Sequence, residues 1–299
     1  VAQGFSPDLL ADLQLLLQLE FMRNALLVGT LVAALAGAVG WFVVLRGQSF
    51  AAHMLSQVGF PGAAGAVLVG ASPVAGLLVF CVAAALWVAS LGGSRDTGRR
   101  REAAAVGTIL AFALGLGLLF FRLVGGSGSV ETIYAFLFGT ILGISRRDVL
   151  ITLLTVLPAL ALLAAIARPL LFASVDPAVA EARGVPVRAL SVFFLLLLAV
   201  ATAVTVQVIG TLLIFALMVV PGATAMRLSS RPGRGLLLAV GLSLLLTWLG
   251  LATAYFTDWP VGFLITTLAF AAYLLARLAA TLGPRWTPRR SAPAPPLPG

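Results

Sequence analysis

The sequence predicts an all-α, polytopic membrane protein, and three observations carry that prediction. Hydrophobic residues fill 61% of 299 positions and charged residues only 10%, against roughly half and about a quarter in a soluble domain. Apolar segments recur along the whole chain between short polar joints, each of about the 20 residues a helix needs to cross ~30 Å of hydrocarbon at 1.5 Å per residue. The alternating ~10-residue segments of a membrane β-barrel are missing.

Taken in order, residues 6 to 20 open with Ser6, Pro7 and Asp8, the cap, first-turn proline and first-turn acid of a helix start. Leu9, Leu10, Leu13, Leu16 and Leu17 then share a face, so residues 1–20 are expected to form a short interfacial helix on the outer surface. Nine spans are expected at about 21–45, 50–70, 73–91, 103–121, 148–167, 189–207, 209–226, 236–255 and 260–279. Ser72 and Pro73 mark the start of the third. Together, residues 21–280 are expected to make one transmembrane domain. Residues 281–299, rich in proline and arginine, are expected to be a disordered cytoplasmic tail.

The segment 130–143, VETIYAFLFGTILG, would reach only ~21 Å as a helix and falls short of a crossing. If it does not cross, 15 of the 19 arginines lie on one side, leaving Arg23, Arg122, Arg146 and Arg147 on the other. If it does cross, that bias weakens. The positive-inside rule therefore favours a re-entrant half-helix, with the N-terminus outside and the C-terminus in the cytoplasm.

Several function classes are excluded by residue type. The chain has no lysine, so it cannot carry a Walker A loop, and ATP used here must bind another subunit. One histidine rules out the HExxH of a membrane zinc protease. All ten acidic residues fall in joints or at span ends, which argues against a proton-coupled carrier with carboxylates inside the spans. The basic charge, +9, is explained by the arginines flanking the spans, and no nucleic-acid partner is implied. Cys81 lies within a span and has no second cysteine to pair with.

Three stretches stand out. His53 and Gln57 are four residues apart, on one helix face. They read either as a packing pair or, with Met54 and Ser56, as one wall of a cation path, since imidazole suits zinc, iron and copper ions. In 168–190, Asp176 and Pro177 start a short helix that Gly184-Val185-Pro186 stops. It is either a solvated connector or an element that docks in a partner's cleft. Gly210 and Pro221-Gly222 bracket a span as a packing kink or a gate.

These stretches, in collinear order from about residue 20 to 280, resemble the membrane subunits of the zinc, manganese and iron ABC importers, the ABC-3 family. The family's arginine, its G-D-A-L-S-H and its P-G turn are matched by Arg46, Ala52-His53-Met54-Leu55-Ser56-Gln57 and Pro61-Gly62. Its aromatic-Leu-Phe-Gly-Asp stretch is similar to residues 135–140, ending in Thr140 where the family has aspartate. Its D-P-x-x-A coupling segment resembles Asp176-Pro177-Ala178-Val179-Ala180 with Gly184-Val185, and its G-x-L-L and P-A-A-T-A match Gly210–Leu213 and Pro221–Ala225.

The resemblance implies a type II importer fold in the bacterial cytoplasmic membrane, working as a dimer with a second copy of itself. The partners it implies are a pair of cytoplasmic ABC ATPase subunits and an extracytoplasmic metal-binding protein. Asp176, Pro177, Ala180, Glu181, Gly184 and Val185 would couple to the ATPase, and Gly210, Pro221 and Gly222 would serve gating. The transported ion would be zinc first and manganese second, bound by His53 and Gln57, with Met54, Ser56 and Thr140 as weaker candidates. The family's Asp-His pair becomes His53 and Gln57 here, a less anionic set that leans towards zinc. No cofactor is expected on the chain itself. The alternatives are a permease of the same fold for a metal chelate or another small solute, and a non-transporting membrane scaffold.

Overall fold

The computed structural model describes residues 18–91, 97–124, 139, 143–257 and 259–282. The expected interfacial helix, most of the half-helix, Thr140 and the C-terminal tail lie outside the described residues.

Among the described residues the helices are α1 (Glu20–Leu45), α2 (Ser49–Leu68), α3 (Pro73–Leu91), α4 (Thr97–Val124) and α5 (Arg146–Val175). They continue with α6 (Pro177–Ala182), α7 (Val187–Ile209), α8 (Thr211–Leu228), α9 (Pro232–Thr257) and α10 (Val261–Leu282). All except α6 have 18 residues or more. Seven are by themselves long and apolar enough to cross a membrane. α2, diluted by His53, Ser56 and Gln57, and α8 do not meet that measure, although both pack inside the bundle.

The largest shift from the expected boundaries is at the end of α5. α5 runs on to Val175 through Pro158 and Pro169, where the sequence reading ended the span at residue 167. A proline removes one helix hydrogen bond, and membrane helices tolerate this when neighbours resatisfy the backbone. α8 runs through Pro221 and Gly222 to Leu228, close to the expected limit at residue 226, with the proline inside the helix. At the start of α5, Ser145 accepts from the Asp148 amide while the Asp148 carboxylate accepts from the Ser145 amide, a capping box.

α1 and α7 form the centre, each with 72% of its apolar window buried, whereas α4 has only 17%. α1 packs on α5, α7, α8 and α9. Its crossing with α8 depends on glycine: a Cβ on Gly40 would overlap the Met218 carbonyl, and one on Gly222 would stand 2.9 Å from the Gly40 carbonyl oxygen. Small residues allow this backbone approach, and close packing drives helix association in lipid.

The two ends of the bundle sort the charges. At one end the α1–α2 elbow at Arg46 meets Ser174 of α5 and Ser191 of α7, and Trp41 lies against Gly235 near the start of α9. At the other, Glu20 pairs with Arg146 at 2.6 Å, Asn24 donates to the Ile144 carbonyl, and Met22 packs on Phe256. Val124 packs on Ala64, far along α2 from the elbow, so the end of α4 shares this second end with the start of α5.

Candidate functional site

His53 lies in the second turn of α2, half-buried, with its ring edge-on to Phe215 of α8 at 4.9 Å and 72°. Its Nδ1 is buried and has no hydrogen-bond partner. An unpaired polar atom inside a membrane protein is costly, and a neutral imidazole nitrogen is a donor for a borderline metal ion. Gln57 follows one turn later, also half-buried, so the pair shares a face as expected.

The other members of the stretch face inward. Met54 and Ser56 are fully buried, and the Ser56 hydroxyl donates to the His53 carbonyl at 2.6 Å. That bond and the buried Met54 serve packing within α2. Cys81 of α3 donates to the Leu55 carbonyl at 3.4 Å, which fixes α3 against the same turn.

Phe215 is placed by the break at Gly210. That glycine takes φ 83°, ψ 164° between α7 and α8, a backbone region open to glycine and strained for other residues. Gly139 is pressed against the same joint: a Cβ there would stand 2.7 Å from the Ile209 carbonyl oxygen and 2.8 Å from the Gly210 amide nitrogen. Two stretches singled out separately in the sequence thus meet at one peptide. Thr211 follows with a buried, unpartnered hydroxyl oxygen, and Phe215 is four residues on, so both share a face of α8. The aromatic wall at His53 had no signal in the sequence beyond an apolar run.

Among the described residues no three His, Cys, Asp or Glu side chains come together as a metal-binding group. His53 is thus the one titratable donor that this stretch contributes.

α6 is built as the sequence implied. Asp176 caps it, its Oδ1 accepting from the Ala178 and Val179 amides at 3.1 Å each, with Pro177 in the first turn. Gly184 at φ 82° ends it, and the Val185 amide closes on the Ala180 carbonyl. Ala180 is the buried residue, against α5 and α7. Pro177, Val179, Glu181 and Ala182 are exposed, leaving an outward face with apolar and acidic character.

Residues 18–280 match the ABC 3 transport family, and the chain belongs to that family. It is 31% identical over 261 residues to the manganese transport system membrane protein MntC of Halalkalibacterium halodurans, covering 87% of this chain and 88% of that one. It is 32% identical over 267 residues to the chelated iron transport system membrane protein YfeC of Yersinia pestis, covering 88% and 89%. Among solved structures it is similar to PsaBC from Streptococcus pneumoniae in complex with Fab, with a TM-score of 0.78, 28% identity, and coverage of 89% of this chain and 94% of that one. The protein is accordingly a transport component of the bacterial cytoplasmic membrane and not an enzyme, ATP hydrolysis belonging to a separate subunit.

Proposed function

We propose that this chain is the permease through which a divalent transition-metal ion enters the cytoplasm, in a type II importer with nine crossings. A second copy of the chain completes the pathway. A pair of cytoplasmic ATPases docks on α6, and an extracytoplasmic binding protein delivers the ion. ATP binding and hydrolysis on those partners switch the dimer between outward and inward states. The observation that carries the metal assignment is the buried, unpartnered Nδ1 of His53, together with relatives named for manganese and chelated iron transport. A neutral imidazole and an amide favour zinc over manganese, which prefers carboxylate and water. The manganese names of the relatives pull the other way, and both ions belong in the test.

A second reading is supported by the lack of a three-ligand group among the described residues. A metal held by its own chelator needs fewer protein donors, and the path would then take the chelate.

The test is uptake into proteoliposomes holding the permease, its ATPase and its binding protein, with zinc, manganese and a ferric chelate offered separately. Free-ion uptake is expected to fall at least tenfold in His53→Ala and less in Gln57→Ala. Unchanged zinc and manganese uptake in both variants would overturn the ion path, and uptake of the chelate alone would establish the second reading.

A further inference from the structure

Arg46 stands at the C-terminus of α1, where a positive charge complements the helix dipole. From there its guanidinium reaches two other helices. Nη1 donates to Ser174 Oγ at 3.1 Å and Nη2 to Ser191 Oγ at 2.7 Å, while Nε donates to Gln48 Oε1 at 3.3 Å. Ser174 is the last residue but one of α5, and Ser191 lies in the second turn of α7. The two serines bracket α6 in sequence, and one rigid fork holds both.

The donor accounting shows that the geometry is set from both sides. The Ser174 hydroxyl donates to the Leu170 carbonyl, and that of Ser191 donates to the Val187 carbonyl. Each hydroxyl proton is committed to its own helix, which leaves the oxygen lone pairs to face the guanidinium. Arg46 also lies over the Phe194 ring, 5.4 Å from its centre, and Phe194 is edge-on to Phe42 one turn back on α1. A cleft of about 450 Å³ opens at the elbow, lined by Leu45, Arg46, Gln48, Phe50, Ala103 and Val106 among others. The elbow is thus fastened to the arm that carries α6.

We propose that Arg46 is a positioning residue that transmits movement of the α6 arm to the α1–α2 elbow, and so to the turn of α2 that carries His53. The elbow is three residues long between the two helices, and His53 begins only four residues beyond the N-terminus of α2. A displacement of the Ser174 and Ser191 ends is passed through the planar guanidinium, whose fork holds both hydroxyls at once; a lysine ammonium has no such fork. This inference rests on the transport reading above.

Two measurements test it separately from that reading. The first is amide hydrogen exchange of residues 170–195 in the purified chain in nanodiscs, for wild type, Arg46→Gln, Arg46→Lys and the Ser174→Ala/Ser191→Ala double variant. Exchange is expected to quicken severalfold in Arg46→Gln and in the double serine variant, with Arg46→Lys intermediate. Unchanged exchange would overturn the clamp, whether or not the chain transports anything. The second is the ratio of metal taken up to ATP hydrolysed in the complete complex. Arg46→Gln is expected to lower the ratio about tenfold while ATPase activity persists, and Arg46→Lys to restore part of it. Uptake and hydrolysis falling in the same proportion would mean that Arg46 only stabilises the fold. A wild-type complex without transport would sink the functional reading, and the exchange result would still decide the clamp.

Discussion

Gly40 of α1 and Met218 of α8 cross with no room for a side chain, the Met218 carbonyl occupying the place a Cβ on Gly40 would take. Because the obstruction is backbone, it cannot swing aside as a flexible side chain would. Gly40→Ala is expected to destabilise the protein by about 1–3 kcal/mol or more, as overpacking does. Gly107 in α4 has open space around its Cβ position, so Gly107→Ala should be neutral or stabilising by up to about 1 kcal/mol. Thermal unfolding of both variants in the same detergent makes the comparison, and equal melting temperatures would contradict the crossing.

Asp176 holds the first turn of α6 by two bonds from one carboxylate oxygen. Removal of such a cap costs about 0.5–2 kcal/mol, and asparagine caps about as well as aspartate. Asp176→Ala should therefore weaken association of the ATPase subunit, read by co-purification over a range of detergent washes, while Asp176→Asn keeps it. Loss of association in both variants would implicate the charge and not the cap.

Cys81 is fully buried and donates to the Leu55 carbonyl. As the sole cysteine of the chain, it offers a labelling probe without background. N-ethylmaleimide should leave it unmodified in the folded protein and modify it fully in SDS, as followed by intact mass. Prompt labelling of the folded protein would show that α2 and α3 separate readily at this turn.

The end of α4 and the start of α5 share one end of the bundle, opposite Arg46. In a Cys81→Ala background, single cysteines at Leu123 and Arg147, both exposed, should react with an impermeant maleimide from the same side of the membrane. That side is the outer one if the arginine-rich end faces the cytoplasm. Labelling from opposite sides would require a crossing between them.

Much of this fold was legible because lipid imposes a strong grammar. A helix is the cheapest way to satisfy backbone groups in hydrocarbon, so apolar runs became helices, and Asp176-Pro177 and Gly184 marked a short one because caps and positive φ are local chemistry. Pro169 misled, since the rule that proline ends helices is weaker where neighbouring helices can resatisfy the backbone. Contacts between distant residues left no trace in the sequence. Arg46 could be matched to the family's arginine, yet nothing in the sequence pointed to its partners, 128 and 145 residues away. His53 was recognisable by its residue type, while Phe215 beside it was one aromatic among 18 phenylalanines. Thr140, one of the weaker ligand candidates, lies outside the described residues.

The central place of α1 has a consequence for biosynthesis. Its packing partner α9 begins only at Pro232, so the first long helix to enter the bilayer is among the last to be fully enclosed. At about 5–20 residues per second of synthesis, Gly37, which lies against Ala239 and Ser243 of α9, waits roughly ten to forty seconds in lipid for the surface that will cover it. In that interval a nascent chain would be open to wrong helix partners and to quality-control proteases. A defect at this seam would then appear first as a low amount of protein, before any loss of transport per molecule.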